Sequence, residues 1–221
     1  MLRMKKLLIV WLLFLDFSAY SQVVFSFDYL TIYETYSDSL DAKPLTTYSF
    51  GDSKNDNMIF KVTKFKNDKI IAEIGNMADS IFYSYELKQL PIVSSDVIQI
   101  ELLNPTIRNR YIPNSKSKIK DIYNVVYNRI NDENEIIIEI FKNNKKRKKT
   151  YESHYIMESY PFVKNQFYVS EIRFAYAFDL NLIKTDEVIR ESWFLNMLTN
   201  KKSNITKLKS IKQCEVSVFL K

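Results

Sequence analysis

Glycine is nearly missing from this chain: Gly51 and Gly75 are the only two, 24 positions apart. Loops that cradle phosphates and turns that bind dinucleotides need several glycines within a few residues, so a P-loop and a Rossmann fingerprint are both excluded. The Gly-x-Ser-x-Gly nucleophile elbow is excluded for the same reason. Cysteine occurs once, at Cys214. No internal disulfide can form, and the core alone must hold the fold. Histidine also occurs once, at His154. Transition-metal centres draw on clustered His, Cys and carboxylate ligands, and one His with one Cys does not make a conventional set. Neither a metal nor a cofactor is expected. Beyond Leu15 no apolar run approaches the ~20 residues that a membrane-spanning helix needs, so no transmembrane span is expected in 22–221.

The longest apolar run is Leu7 to Leu15, nine residues, preceded by Arg3, Lys5 and Lys6. Ala19 and Ser21 then stand three and one positions before Gln22. A positive start, a short apolar core and a small-x-small exit predict a secretory signal peptide over 1–21, cleaved ahead of Gln22. Asp16 ends the run where an anchor would have to continue, and a charge at that depth is costly. No cysteine follows the run, so a lipoprotein anchor is not expected. The working protein is therefore expected outside the cytoplasm, in the periplasm or secreted.

What remains, 22–221, suits a single domain. Hydrophobic residues make up 46% of the chain, too many for disorder. Tyr and Phe number 15 each, and aromatics suit pleated, half-buried surfaces. The formal charge is +6, and residues 1–21 hold three Lys or Arg and one Asp, leaving +4. That balance favours solubility and is too small to imply nucleic acid.

Hydrophobic alternation with period two dominates the pattern. Strands are predicted from Val23, at Leu45–Phe50, Met58–Phe65, Lys69–Ile74, Ser80–Lys88 and Val97–Leu103. Residues 104–120 lack periodicity and read as a long loop. Strands resume at Ile122–Ile130, Glu135–Phe141, Thr150–Ser159 and Phe167–Phe178. Over 186–199, Ile189, Trp193 and Met197 fall four apart as on a helix, while Trp193, Leu195 and Met197 also alternate as on a strand. The strand reading suits the β surroundings better, with a turn at 200–204 into Ile205–Ile211 and a last strand at Glu215–Leu220. The expected fold is mainly β: an antiparallel meander forming a barrel, half-barrel or sandwich, with one C-terminal helix as the alternative for 186–199.

Few residues point to chemistry. His154 alternates with aromatic positions and reads as a strand histidine near a surface or rim. Cys214 lies in an alternating stretch and reads as a buried structural thiol. No catalytic residue is identified. Asp52, Asn55, Asp56 and Asn57 offer oxygen ligands in one segment, but these are also the ordinary turn residues, and Lys54 intrudes. Glu73, Glu86, Glu101, Glu139, Glu171 and Glu191 fall on strands or strand edges, and which of them face one another is not legible. Lys145, Lys146, Arg147, Lys148 and Lys149 form the densest charge cluster. Five cations on one turn are a candidate anion-binding site for phosphate, anionic polysaccharide or a lipid headgroup. The plainer reading is a solvated hairpin tip that discourages edge pairing.

The Lys5-Lys6 leader, the Ser21-Gln22 junction and the Ile/Lys/Asn/Tyr-rich β chain resemble small secreted β-rich proteins of the Bacteroidetes type. The stretches that carry the likeness are Phe27-Asp28-Tyr29 through Tyr33-Glu34, and Tyr48-Ser49-Phe50 before a polar turn. That resemblance implies an exported β protein and brings no functional motif. The layout is also similar to half-barrel lipid carriers of the periplasm, an analogy of fold alone. The expected function is an exported, non-enzymatic β protein that binds a lipid, a glycan or an envelope protein. Alternatives are a cofactor-independent carboxylate hydrolase acting on glycans and a structural envelope protein contacting anionic surfaces.

Overall fold

The computed structural model describes residues 23–37, 43–54, 58–76, 81–91, 95–103, 107–110, 124–130, 134–142, 148–163, 186–197 and 199–220. The predicted leader over 1–21 and the strand expected at Phe167–Phe178 lie outside them. Twelve strands form a single sheet, and the described residues include no helix. They are β1 (Val23–Tyr36), β2 (Leu45–Gly51), β3 (Met58–Lys64), β4 (Ile70–Asn76), β5 (Ile81–Leu87), β6 (Val97–Leu102), β7 (Ile107–Arg110), β8 (Asn124–Ile130), β9 (Glu135–Phe141), β10 (Lys149–Ser159), β11 (Glu187–Leu195) and β12 (Lys202–Leu220).

The order across the sheet is β7-β5-β4-β3-β2-β1-β12-β11-β10-β9-β8, and every neighbour on this path is antiparallel. Strands β1 to β5 are a plain meander, and β8 to β12 a second one. The first and last of these strands meet, β1 pairing with β12 along almost the whole of β1. Strand β12 also pairs β11 through Lys202–Lys207 and, further along, the parallel strand β6 through Glu215–Leu220. No ladder among the described residues joins β6 to β7, so the sheet is open and not a closed barrel.

Two local expectations change, and the preferred strand reading of 186–199 is borne out. The loop expected over 104–120 contains β7, a four-residue strand recruited by β5. It is too short to leave a periodic signature. Within segment 186–199, Glu187–Leu195 is strand β11 in place of the helix alternative: with β10 on one side and β12 on the other, its backbone groups find partners across the sheet. Ile205–Ile211 and Glu215–Leu220 are parts of one 19-residue strand. Register shifts opposite Phe27/Tyr29 and Ile32/Tyr33 break its alternation without ending it. The turn at Lys66-Asn67-Asp68 is as expected: Asp68 takes φ 63° and its N–H donates to the Phe65 carbonyl at 3.0 Å. Asn200 and Asn204, at φ 54° and 48°, are residues that tolerate this left-handed region.

The main core lies on one face of β1 to β6 and the end of β12. Leu30, Phe60, Val62, Ala72, Leu102 and Val218 are wholly buried there. The Phe60 ring stacks on Phe50 with centroids 4.9 Å apart and tilts against Phe27 at 5.7 Å. Each such side chain contributes about 1.5–3 kcal/mol by leaving water. Strand β1 is buried on both faces. Leu30 and Ile32 pair with Phe50 and Tyr48 in this core, whereas Tyr29 belongs to a second cluster with Val163 and Val188. Thr31 and Tyr33 share Tyr29's face, opposite Ile211 and Leu208 of that cluster. The β8–β11 half adds buried Ile136, Ile138, Ile140, Tyr155, Met157 and Ile189.

Candidate functional site

Alternation splits β9, β10 and β11 into two faces, and the registers say which residues share each. Glu135, Ile137 and Glu139 of β9 lie opposite Ile156, His154 and Glu152 of β10. His154 and Glu152 in turn lie opposite Trp193 and Leu195 of β11. This is the outer face of the half-sheet. The inner face carries Ile136, Ile138 and Ile140, then Tyr155 and Ser153, then Ser192.

The outer face holds a five-residue ionic cluster. Lys149 Nζ donates to Glu139 Oε1 at 2.6 Å and also to Glu152 Oε2. His154 Nε2 lies 2.8 Å from Glu152 Oε1, and Nδ1 lies 2.7 Å from Glu135 Oε1. Neutral imidazole has one donor, so only the protonated ring donates to both carboxylates. The His154 ring stacks on Trp193, centroids 4.9 Å apart and planes 9° apart. The Lys202 ammonium stands 3.6 Å from the centre of the Trp193 ring, a cation–π contact. Burial by itself raises the Glu152 carboxyl, but hydrogen bonds from Lys149 and His154 outweigh it and hold the group below the ordinary carboxylate range. Its bonds to Glu139 first and then to Glu152 push the Lys149 ammonium up.

A second ion pair sits on the inner face. Arg129 of β8 grips Glu187 at the start of β11 with two parallel bonds: Nη1 to Oε2 at 2.9 Å, and Nη2 to Oε1. Strands β9 and β10 lie between them in the sheet. Neighbouring strands are roughly 4.8 Å apart, so contact across three spacings requires this half-sheet to curl toward its inner face. Glu187 is 2% exposed, and the pair spans the curl.

The groups singled out from sequence fall as follows. Lys145, Lys146 and Arg147 lie outside the described residues, as do Ala19, Ser21 and Gln22 of the predicted cleavage site. Lys148 accepts a backbone bond from Lys142 at 3.1 Å. Lys149 is bonded to the carboxylates of Glu139 and Glu152. His154 is a strand histidine as expected, and it is clamped. Cys214 is buried in the main core, and burial pushes its thiol up. Asp52 caps its own turn, accepting from the Lys54 N–H at 2.9 Å. Of the strand carboxylates, Glu73 pairs with Lys61 at 2.5 Å and Glu86 with Lys69 at 3.2 Å. Glu171 lies outside the described residues. Glu139 and Glu152 do face one another across the β9–β10 ladder, but the Lys149 ammonium is bonded to both. A two-carboxylate glycosidase needs one carboxyl held protonated, and the bonds to Glu152 lower its carboxyl instead.

Sequence reasoning passed over Glu135, Glu152, Trp193, Arg129 and Glu187. Glu152-x-His154 places both side chains on one face of a strand, a signal that was available. Glu135 and Trp193 join them only through cross-strand register.

Among the described residues no group of His, Cys, Asp and Glu is arranged to hold a metal. No helix among them is long and apolar enough to cross a membrane. No known family model matches the chain, and no curated protein sequence matches it. Among solved structures, the chain is similar to a domain from Vibrio parahaemolyticus assigned as an outer membrane lipoprotein-sorting protein. Identity is 8%, coverage is 84% of each chain, and the TM-score is 0.32. The fold described above rests on the strand ladders themselves.

Proposed function

We propose that this chain is an exported, non-enzymatic β protein that binds an envelope ligand on its curled sheet. One observation carries the reading. The two side chains with the broadest chemical repertoire, His154 and Cys214, are both committed to structure, one clamped between Glu135 and Glu152 and the other in the apolar core. The inner face of this half-sheet carries an apolar layer of Ile136, Ile138, Tyr155, Met157 and Ile189, each of them buried. Export follows from the predicted leader: residues 1–21 direct secretion and are removed ahead of Gln22, leaving one domain over 22–221. In this reading Lys145, Lys146, Arg147 and Lys148 steer the protein to anionic surfaces, with Lys149 held by its carboxylates.

Native mass spectrometry of protein purified from its own envelope fraction tests the proposal. The expected spectrum shows a processed chain beginning at Gln22 with a retained lipid or glycan mass. Turnover of a glycan substrate by the purified protein, lost in Glu152→Gln, would overturn it. Charge reversal at Lys145, Lys146 and Arg147 is expected to weaken binding to phosphatidylglycerol vesicles, and unchanged binding removes the steering role.

A further inference from the structure

Strand β6 stands off the main path of the sheet, paired in parallel with β12 from Val97 to Leu102. The Glu215 N–H donates to the Asp96 carbonyl at 2.7 Å, so Asp96 turns its carbonyl toward β12. Backbone groups of successive strand residues point to alternate sides. Ile98, Ile100 and Leu102 therefore serve the β12 ladder, while Val97, Gln99, Glu101 and Leu103 aim their N–H and C=O groups at the other edge. Among the described residues no ladder uses that edge. The Ser95 hydroxyl bonds the Val97 carbonyl there, a local contact that leaves the oxygen a second lone pair.

The side chains alternate as well. Ile98, Ile100 and Leu102 enter the main core, and Val97, Gln99, Glu101 and Leu103 are exposed. Val97 at 59% and Leu103 at 57% are the two most exposed large hydrophobics among the described residues, and they mark the two ends of this one edge. Open edges are ordinarily blunted by shortness, by cationic side chains, by proline or by bulges. Strand β7, at one end of the sheet path, has four residues and carries Arg108 and Arg110. Residues 97–103 hold no lysine, arginine or proline, and their ladder with β12 runs without a register shift.

The edge is complementary to itself. When two copies pair antiparallel with Ile100 opposite Ile100, Val97 faces Leu103 of the second copy and Gln99 faces its Glu101. The backbone groups that then meet are the ones the β12 ladder leaves over. Core side chains stay on the core face and exposed ones on the exposed face. The two apolar ends cover each other, and the Gln99 amide can donate to the facing carboxylate. Sliding the pairing by two residues sets Glu101 against Glu101 in one direction and Val97 against Glu101 in the other, and both are poorer cross-strand pairs.

We propose that β6 is a self-association edge, through which two copies of this chain join antiparallel along Val97–Leu103 about a twofold axis at Ile100. This goes beyond the binding function proposed above and does not depend on it. A strand edge this short buries less than the ~1,200 Å² of a standard interface, so the dimer is weak and concentration-dependent.

The test is sedimentation of the purified protein from about 1 μM to about 1 mM, beside Val97→Lys and Leu103→Lys. The parent is expected to move from the mass of one chain to that of two. Each lysine variant should raise the dissociation constant at least about tenfold and keep the parent's melting temperature in dilute solution, because both positions are exposed. The register is tested by mild oxidation of Val97→Cys and Leu103→Cys. Cα atoms of facing residues lie about 5.5 Å apart, within disulfide reach, whereas the two copies of position 97 are roughly 20 Å apart. A reducible cross-linked dimer is expected from the mixture of the two variants and not from either alone. A parent that stays a single chain throughout overturns the proposal; uptake of an added extended peptide at this edge would then assign it to another protein's strand. A dimer that withstands both lysine substitutions, or cross-links that either cysteine variant forms alone as readily as the mixture, overturns it too. Should the lysine variants melt lower than the parent, the cross-linking pattern decides.

Discussion

Arg129→Met is the perturbation whose cost follows most directly from the geometry. The guanidinium makes two parallel bonds to Glu187, and the Glu187 side chain is 2% exposed against 19% for Arg129. Removing the cation takes two charge-assisted bonds from a carboxylate that is 2% exposed. Breaking a buried pair this way costs about 3–5 kcal/mol, well beyond what an exposed pair is worth. In urea, with a slope of about 2–3 kcal/mol/M for a domain of this size, the unfolding midpoint should fall by roughly 1–2 M with the slope unchanged. The double variant Arg129→Met, Glu187→Leu removes both charges and keeps the bulk, so it should recover to within about 1 kcal/mol of the parent. If the single variant unfolds within about 0.5 kcal/mol of the parent, the pair does not hold the curl of β8 to β11 and the reasoning fails.

Three further outcomes are expected. Gly51 lies opposite Tyr29, and a Cβ there would fall inside the tyrosine ring, so Gly51→Ala should cost about 1–3 kcal/mol by thermal melting; adding Tyr29→Leu should restore part of it, and a neutral Gly51→Ala would show the ring is not packed there. The Glu152 carboxyl is held below its ordinary range, so its contribution is present above that range, about pH 4.3, and is lost as pH falls through the lowered folded value. Plotted against pH, the stability gap between parent and Glu152→Gln should therefore close in acid, and a gap independent of pH would refute the clamp. Cys214 should resist thiol reagents in the folded protein and react on unfolding, because burial both shields the thiol and pushes it up; rapid labelling under native conditions contradicts its place in the core.

Much of the strand inventory was legible because side-chain alternation is a local property. Val97 to Leu102 alternates exposed and buried without exception, and Glu135 to Phe141 does so between half-buried and buried. Strand β7 was not legible, because four residues hold too little pattern and its existence depends on β5. The site was less legible than the fold. His154 and Glu152 sit two apart in the chain, so their shared face could be read. Glu135 is 19 residues from His154, and Glu187 is 58 from Arg129. Such pairs depend on which strands are neighbours and in what register, and a shift of one residue would send every one of these side chains to the opposite face.

The sequence by itself determined that this is a β chain with no disulfide framework and no phosphate loop, and that it opens with the pattern of an export signal. Composition and short-range periodicity suffice for those statements, because they concern what residues can do alone or with near neighbours. Only the tertiary structure decided that the sheet stays open, that β12 serves as common partner to β1, β11 and β6, and that Lys149 belongs to a carboxylate clamp. It also left the outer edge of β6 without a ladder among the described residues. Those facts arise when segments distant in the chain become adjacent in space, which backbone pairing and burial bring about and no local pattern encodes.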